Sequence, residues 1–498
     1  MKKTKYTALT ILLLTAFISA QTPQRFIYLD EAAYTYDYYD YLVNSGKYVP
    51  DYVLNQPYVM GPDSVIEKQS KTDTFFGAYW RHFYGENKDL SMHINIDMAG
   101  KMDEAIYGRH RIEGAIHYTG TYITLGNRTT VDQEYRYDPN FAGDLSESEN
   151  WLYGRVNEAY MNLNYKGFNL FLGRMKRNWG DLTEKSLILS SNPYSYDHIL
   201  FEYTAKHFKL SLLYAPLENR YGLIYYPDST IAEVKNARRH LVGHRLDIQF
   251  SKNLQIAFTE MAVYGGENRP FELAFFNPMN FYYALQRNDR ELMSGLWSLD
   301  VFYKPFPRLS LYAQFLIDDV IVNNDPGVDD RARFPDRLGL HINFKTADYL
   351  LKGLNSSIAY LRIWNRTYQS RFNYENYHYR ALGLGYPCAS CEEFKIKLAY
   401  WNWFPFFIKN ETIIGRYGDV ELTDLFMLNK EPFPVPPVTD NVITITDIVY
   451  FINENYRASV QFFYRKNVNH YSNKFGEKDN FVIKIKFNAL FSFGVDVN

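Results

Sequence analysis

The sequence predicts an all-β membrane protein: a large antiparallel transmembrane β-barrel of about 16 to 18 strands with a small N-terminal helical segment. The first observation behind this prediction is strict alternation. It is clearest from Leu90 to Met98, where every second side chain is apolar. A period of two indicates a strand with one apolar and one polar face. In a soluble sandwich the apolar face needs a partner sheet, whereas in an outer-membrane barrel lipid covers it and the polar face lines the interior.

The second observation is an export signal at the start of the chain. Lys2, Lys3 and Lys5 form a basic beginning. Residues 9–17 are an apolar stretch too short to span a bilayer, and residue Ala20 ends an acceptable cleavage site. No apolar run long enough for a membrane helix follows. We therefore expect residues 1–20 to be a cleaved signal peptide, and the mature chain to lie in the outer membrane of a Gram-negative bacterium.

The third observation is the composition. Aromatic residues make up 18% of the chain, with 45 Tyr and 36 Phe, yet the mean hydropathy is −0.36. Strands with an aromatic-rich lipid face and a hydrated lumen combine these two properties. The formal net charge is −2, so no basic field favours nucleic acid as a partner. No Pro-rich or Ser-rich linker divides the chain, which favours one large barrel over several soluble domains.

Residues 21–71 differ from the rest and predict a small helical segment, either periplasmic or a plug of the barrel. Asp30 is a suitable N-cap, and a helix through Leu42 would end at Gly46. The alternative is a poorly ordered leader before the first strand. We assign residues 72–498 to the barrel.

Alternating short and long connections join the predicted strands, as in an outer-membrane barrel. The cleanest hairpin spans residues 246–258. Other short turns are expected near residues 166–167, 205–206, 304–308, 352–355 and 453–456. Longer polar connections are expected near residues 119–150, 175–198, 217–240, 265–296, 319–336 and 403–442.

Cys388 and Cys391 are the two cysteines of the chain. In an oxidising compartment the default for such a pair is a structural disulfide. A redox-active motif is disfavoured because no βαβ context surrounds the pair. A zinc site would need a second pair of ligands, and none is evident.

The sequence contains no motif of a known hydrolase or nucleotide-binding enzyme. It lacks GxSxG, HExxH and P-loop patterns, and its 11 histidines do not show metal-ligand spacing. We therefore expect no catalytic residues, no cofactor and no metal site.

A first candidate binding cluster follows the predicted strand that ends at Gly173. It contains Arg174, Arg177, Asn178 and Trp179. Tryptophan faces stack on the CH surfaces of sugars, while arginine and asparagine donate hydrogen bonds to hydroxyl or carboxylate groups. The alternative is a loop folded into the lumen, with its arginines paired to acidic wall residues.

A second candidate cluster contains Arg269, Tyr282 and Tyr283. These residues also follow a predicted strand and enter a long connection. The aromatic rings suit sugar stacking, but they also suit the aromatic girdle of a membrane barrel. We predict that the two clusters together form a polysaccharide-binding surface, opening on the same rim or folding inward.

Several motifs resemble the outer-membrane capsule-assembly (Wzi-like) family. They are Gly-Arg-x(4)-Trp-Gly at residues 173–180, Ser-Leu-Ile-Leu-Ser at 186–190, Asn-Pro at 192–193, Gly-Gly-x-x-Arg-Pro-Phe-Glu at 265–272, Asn-Pro at 277–278 and Leu-Ile-Asp-Asp at 316–319. One departure is Asp181-Leu182, which stands where the family often has Pro-Gly.

The resemblance implies an 18-stranded barrel with helical plug elements that acts as a lectin-like anchor for surface polysaccharide. Its partners would be the polysaccharide and the outer-membrane bilayer with its lipopolysaccharide. On the residues alone, two other functions stay open: a solute-specific porin, and an accessory component of an envelope secretion or assembly machine.

Overall fold

The computed structural model describes residues 25–29, 34–60, 71–83, 88–102, 106–138, 153–225, 230–288, 293–320, 336–426, 431–467 and 480–497. The predicted signal peptide lies outside these residues. None of the helices formed by the described residues is long and apolar enough to cross a membrane.

A closed antiparallel β-barrel forms the body of the molecule. The strands, in chain order, are β1 (Arg25–Phe26), β2 (Val59–Met60), β3 (Leu90–Met102), β4 (Ile106–Gly108), β5 (Arg111–Thr119), β6 (Ile123–Asp132), β7 (Tyr153–Tyr165), β8 (Phe168–Met175), β9 (Tyr196–Thr204), β10 (Phe208–Pro216), β11 (Arg220–Tyr225), β12 (Ile231–Ser251), β13 (Leu254–Glu267), β14 (Ser294–Phe306), β15 (Leu309–Asp319), β16 (Arg337–Ala347), β17 (Leu354–Ile363), β18 (His378–Tyr379), β19 (Leu382–Gly383), β20 (Cys391–Trp403), β21 (Phe406–Tyr417), β22 (Thr439–Phe451), β23 (Tyr456–Asn467) and β24 (Asn480–Val495). The β1–β2 and β18–β19 pairs form separate small sheets.

Within the described residues, 18 strands close the barrel. β4 and β11 are short additional segments, because their neighbours also pair directly, β3 with β5 and β10 with β12. The last strand, β24, closes the ladder on β3, with Phe487 opposite Met98. The predicted fold is confirmed, at the upper end of the expected strand number.

The alternation seen in the sequence separates a lipid face from a lumen face. On β3, Met92 and Met98 are exposed on the outside, whereas His93 and Asp97 are buried inside the barrel. The buried polar groups bond to one another across strands; Asn488 of β24 donates to the Asp97 carboxylate at 2.8 Å. Lipid covers the outer side chains, so their exposure in the isolated chain defines the membrane belt.

Besides β11 and the start of β12, two strands lie where the sequence predicts polar connections: β6 within residues 119–150 and β21 within residues 403–442. The predicted connections were wrong there because both strands carry polar side chains on the outer face. Asn127 is exposed on β6, and Asn410 of β21 donates to Thr446 of β22 at 2.8 Å. A polar residue in the outer series breaks the alternation by which a strand is recognised.

Short turns lie at one end of the barrel and long loops at the other. The turn between β7 and β8 is Lys166-Gly167, both with positive φ (46° and 86°), as in a two-residue type I′ hairpin. β12 and β13 form the hairpin predicted at residues 246–258. β12 is 21 residues long and, with β11, occupies much of the predicted connection at 217–240. Short turns face the periplasm in such barrels, so the long loops mark the outer end.

The N-terminal segment contains two helices, α1 (Thr35–Ser45) and α2 (Lys71–Phe83). α1 ends at Gly46, as the sequence predicts, with a left-handed φ of 78° that favours glycine. The helix begins at Thr35, and the predicted cap Asp30 lies outside the described residues.

The predicted barrel start near residue 72 was wrong, since the first barrel strand begins at Leu90. The preceding residues instead form α2, whose buried Phe76 and Tyr79 stand three positions apart, on one helix face. Both rings pack edge-on against Phe451 at the end of β22, with centroids 5.1 and 5.3 Å apart. α2 thus packs against the periplasmic end of the barrel.

α1 lies inside the barrel at the periplasmic end, and we call it the plug. Asp40 forms an ion pair with Lys345 of β16 at 2.7 Å, and Asp37 forms one with Lys409 of β21 at 2.8 Å. The helix also packs against β15 and β17. The plug is therefore fixed to several strands of the wall.

Two long loops fill much of the lumen from the outer end. The inner loop (residues 176–195) joins β8 to β9, and the cap loop (residues 364–390) joins β17 to β20. Tyr377 of the cap loop donates to the Ile188 carbonyl of the inner loop at 2.7 Å. Side chains of both loops belong to one buried hydrophobic cluster that also includes lumen-facing wall residues.

Glu375 of the cap loop has a strongly shifted acidity. It has no exposed surface, and burial raises its pKa from 4.5 to about 8. Its Oε1 atom has no hydrogen-bond partner among the described residues. Because the folded-state pKa lies above the unfolded one, folding favours the neutral acid. The stability that this preference provides is complete below the unfolded pKa and is lost as the pH rises through the folded pKa.

We expect Glu375→Gln to stabilise the protein at pH 9 and to have little effect at pH 4, because glutamine resembles the protonated acid. The measurement is the temperature at which the folded barrel loses its heat-modifiable gel mobility, recorded at both pH values. Glu454→Gln, in an exposed periplasmic turn, is the control. An equal shift at both pH values would contradict the assignment.

Candidate functional site

A cavity of about 900 Å³ lies in the lumen between the plug, the inner loop and the wall around β20 to β23. It reaches from Tyr36 of the plug to Gly418 and Glu421, which follow β21 at the outer end. This volume is in the range of ligand pockets. The cavity is therefore the candidate binding site on the outer side of the plug.

Lysine and glutamate side chains line the cavity and join the inner loop to the wall. Glu184 of the inner loop forms ion pairs with Lys395 at 3.1 Å and Lys397 at 2.9 Å, both on β20. Burial alone would raise the pKa of Glu184, but the two ammonium groups outweigh burial and hold that pKa well below its ordinary value. Glu184 is thus ionised at neutral pH and ties the loop to β20.

Tyrosine side chains supply flat faces beside these charges. Tyr386 of the cap loop donates to Glu393 at 2.6 Å and accepts a hydrogen bond from Lys395 at 2.8 Å. Tyr417 at the end of β21 donates to the other oxygen of Glu393 at 2.9 Å. Tyr194 of the inner loop also lines the cavity. Aromatic faces next to charged hydrogen-bonding groups suit a ligand rich in hydroxyl groups.

The first predicted cluster begins at the outer end of β8. Arg174 is partly exposed and pairs with Asp197 of β9 at 2.7 Å. Arg177 is buried; its Nε donates to His198 Nε2 at 2.7 Å, and its guanidinium lies 4.5 Å from the ring centroid of Phe171. The loop is thus folded into the lumen, as in the alternative considered from the sequence, although Arg177 donates to an imidazole and not to a carboxylate.

Asn178 and Trp179 are also buried, within the inner loop. The backbone N–H of Trp179 donates to the Leu189 carbonyl at 2.8 Å, and the Trp179 side chain has no exposed surface. Asn178 donates to the Asp181 carbonyl at 2.8 Å and accepts from the Ser186 N–H at 3.0 Å. These contacts fold the inner loop onto itself and so shape one wall of the cavity.

The second predicted cluster lies in the wall loop (residues 268–288), which follows β13 and packs on the outside of the barrel. Arg269 lies near the start of the wall loop. Tyr282, further along the loop, is buried against the barrel wall. Tyr283 is half exposed and packs against Trp297 of β14, with ring centroids 5.6 Å apart. The structure therefore does not bring the two predicted clusters together. Contact of their side chains with polysaccharide stays a prediction.

Of the residues singled out from the sequence, Asn178 and Cys388 line the cavity. Sequence reasoning missed the charged and aromatic residues that surround it. Lys395 and Lys397 alternate with Phe394 and Ile396, so their position on the lumen face was readable from the sequence. Their pairing with Glu184 was not, because the two segments are far apart in the chain and meet only when the inner loop folds inward.

Cys388 and Cys391 lie beside the cavity, with their Sγ atoms in bonding contact. Hydrogen bonds hold this segment independently: Ser390 donates to Asn365 at 2.8 Å, and the Gly418 N–H donates to the Ser390 carbonyl at 2.9 Å. A ring this small contributes only about 2 kcal/mol in the loop-entropy model.

We expect replacement of both cysteines, Cys388→Ser with Cys391→Ser, to leave barrel assembly and surface function largely intact. Gel mobility reports assembly, and cell-bound polysaccharide reports function. Complete loss of function in a normally assembled double variant would instead indicate thiol chemistry.

Comparisons with known proteins agree with this architecture. The model of the family described as capsule assembly protein Wzi matches residues 101–384. The structure of Wzi from Escherichia coli, a carbohydrate-binding β-barrel involved in group 1 capsule assembly, is similar with a TM-score of 0.64 and 10% identity, over 94% of this chain and 100% of that one. Among curated proteins, none matches the sequence significantly.

Two other solved structures are less similar. OccAB2 from Acinetobacter baumannii has a TM-score of 0.49 and 11% identity, over 81% of this chain and 98% of that one. OccD3 from Pseudomonas aeruginosa has a TM-score of 0.47 and 10% identity, over 90% and 99%. The family match spans more than half of the sequence, from β3 through the inner, wall and cap loops. The chain belongs to the capsule assembly protein Wzi family.

Proposed function

We propose that this protein binds surface polysaccharide and anchors or organises it at the outer membrane of a Gram-negative bacterium, in capsule or exopolysaccharide assembly. Its family and fold support this role. The protein would be exported by a cleaved signal peptide and would act without catalysis or cofactor. Its partners would be the polysaccharide and the bilayer with its lipopolysaccharide.

The observation that carries the proposal is the cavity of about 900 Å³ on the outer side of the plug. Tyrosine faces and fixed charges surround it, which is the chemistry that holds a sugar ring and its hydroxyl or carboxylate groups. One weak site per barrel is sufficient, because a polymer presents many repeats to many barrels.

We assign unequal roles to the predicted residues. Arg174 is partly exposed at the outer end of β8 and continues the outward-facing series of Leu170 and Leu172. We propose it as a polysaccharide contact on the outer rim of the barrel, separate from the cavity. Arg177, Asn178 and Trp179 are positioning residues that hold the inner loop. The residues of the wall loop lie outside the lumen and are not part of this cavity.

A solute-specific porin is the weaker alternative. A porin needs a water-filled path through the barrel. Here α1 is fixed inside the periplasmic half by Lys345 and Lys409, and the inner and cap loops pack together above it. We expect the purified protein to give no stable porin-like conductance steps in planar bilayers.

Deletion of the gene tests the proposed function. We expect the mutant to make normal amounts of polysaccharide but to release it into the medium, and the intact gene to restore its retention. Loss of synthesis would favour an accessory role in the assembly machinery. Unchanged retention, together with stable conductance of the purified protein, would favour a porin.

A further inference from the structure

The wall loop runs down the outside of the barrel. On β13, Phe258 is exposed to the lipid side, whereas Thr259 points inward and accepts a hydrogen bond from Arg245 at 3.0 Å. By alternation, Ala262 and Tyr264 belong to the outer face. Both nevertheless have no exposed surface, because the wall loop covers them.

Aromatic side chains attach the inner side of this loop to the barrel. Phe275 stacks on Tyr264 with ring centroids 4.4 Å apart, and Tyr282 lies 4.9 Å from the ring of His244 on β12. The Tyr282 hydroxyl donates to the Phe275 carbonyl at 2.8 Å. The loop is thus a packed element with a defined inner and outer side.

Glu260 fixes the lower part of the loop to the outer face of the wall. Its carboxylate accepts hydrogen bonds from the Trp297 indole at 2.6 Å and from the Tyr283 N–H at 3.2 Å, and it lies 3.1 Å from His244 Nε2. A carboxylate on a lipid-facing wall is costly without such partners. The contacts of Glu260 therefore mark how far the loop extends along the outer wall from the end of β13.

The loop covers a measurable length of the outer wall. The loop contacts β13 from Tyr264 down to Glu260, four positions that correspond to about 13 Å along a strand. With the usual strand tilt this is about 10 Å along the membrane normal. Interfacial helices are buried to a similar depth.

The outer side of the loop is apolar and exposed. Met279 and Phe281 are 81% and 69% exposed, and Leu273 is 73% exposed. The patch continues through Tyr283 to Trp297, an outward-facing residue of the barrel belt. A patch of this kind marks an interaction surface, and its continuity with the lipid belt identifies lipid as the occupant.

We propose that the wall loop is a membrane-binding element that inserts its apolar side chains into the outer leaflet beside the barrel. Aromatic and large apolar side chains at this height are those that the membrane interface favours. The loop would widen the membrane contact of the barrel over β12 to β14 and hold the outer rim at a fixed level above the lipid.

Fluorescence quenching by lipid tests this proposal on the complete barrel. Met279→Cys and Phe281→Cys are each labelled with bimane and reconstituted into dioleoylphosphatidylcholine vesicles, with or without the dibrominated form of the lipid. We expect the brominated lipid to quench both labels by at least about half, because apolar side chains of an interfacial element lie about 5–10 Å deep and contact the lipid chains. The parent protein, treated with the same reagent, shows whether the native cysteines take up label.

Two positions calibrate the measurement. Phe258→Cys, in the belt below the loop, should be quenched strongly, and Asp419→Cys, exposed on another outer loop, should not. Gel mobility confirms that each variant is folded. The proposal fails if both loop labels behave like the one at position 419. It also fails if the labels are shielded from lipid and the unlabelled cysteine variants form disulfide-linked dimers on addition of an oxidant, which would identify the patch as a contact between barrels.

Discussion

Lys345→Ala is expected to lower the free energy of unfolding by about 3–5 kcal/mol, the cost of removing one partner from a buried ion pair. The Lys345 Nζ atom lies 2.7 Å from the carboxylate of Asp40 in the plug and 2.6 Å from that of Asp181 in the inner loop. All three side chains are at most 5% exposed. The variant leaves two carboxylates facing each other without a counter-charge, so the plug and the inner loop lose a shared anchor.

Urea unfolding in detergent micelles, followed by gel mobility, measures this effect. Lys252→Ala is the matched control, because Lys252 is exposed in the turn between β12 and β13. We expect the control to resemble the parent protein. If Lys345→Ala shifts the urea midpoint no more than the control does, the lysine is not the anchor that its distances indicate.

Trp179→Ala combined with Arg177→Ala is expected to release polysaccharide into the medium while the barrel still assembles. Trp179 is fully buried, and truncation of such a side chain costs about 3–5 kcal/mol. Arg177 packs over Phe171 and bonds to His198 on the lumen side of the wall. The lost stability affects the inner loop and not the barrel, because neither side chain takes part in the strand ladder. The inner loop then no longer forms one wall of the cavity.

The readouts for this double variant are the ratio of cell-bound to released polysaccharide and heat-modifiable gel mobility. Trp403→Ala is the control, since that tryptophan is exposed near a periplasmic turn. Retention equal to the parent would show that the inner loop does not serve binding. A protein that fails to assemble would show that these side chains are needed for folding of the barrel itself.

The barrel was predictable because apolar lipid-facing side chains and polar lumen-facing side chains alternate along most strands. Lipid selects Met92 and Met98 on one face of β3, and the lumen selects His93 and Asp97 on the other. The pattern failed in β21, where Asn410 on the outer face finds its partner on the next strand. A strand that satisfies a polar group by cross-strand bonding loses the signature on which the prediction depends.

The candidate site was much less predictable, because it is formed by long loops whose direction is decided by distant contacts. Glu184 and Lys397 meet only when the inner loop turns inward. The same holds for the wall loop, which shares motif density and aromatic content with the inner loop but packs on the opposite side of the barrel wall. Trp179 packs on the lumen side of the barrel wall and Tyr282 on the outer side, although both stand in loops with similar motifs and aromatic content.

The departure from the family pattern after Trp179-Gly180 has a structural explanation. Asp181 pairs with Lys345 at 2.6 Å and accepts a hydrogen bond from the Thr183 N–H at 2.9 Å. Leu182 is buried in the same hydrophobic cluster as the plug. In this chain, Asp181-Leu182 therefore joins the inner loop to the plug by a charge and an apolar contact.

Filling the cavity tests the central claim most directly. Ser459 of β23 lines the cavity, and its neighbour Val460 belongs to the outer face, opposite the exposed Ile485 of β24. Ser459→Trp places a large ring inside the cavity, whereas Val460→Trp places the same ring in lipid on the same strand. The pair separates occupation of the cavity from the general effect of a new tryptophan.

The measurement is binding of purified, folded barrel to the polysaccharide isolated from the parent cells, by co-sedimentation. We expect Ser459→Trp to weaken binding by at least about tenfold, equivalent to about 1.4 kcal/mol, and Val460→Trp to bind like the parent. Equal binding by the parent and a correctly folded Ser459→Trp variant would contradict the assignment of the cavity as the polysaccharide site.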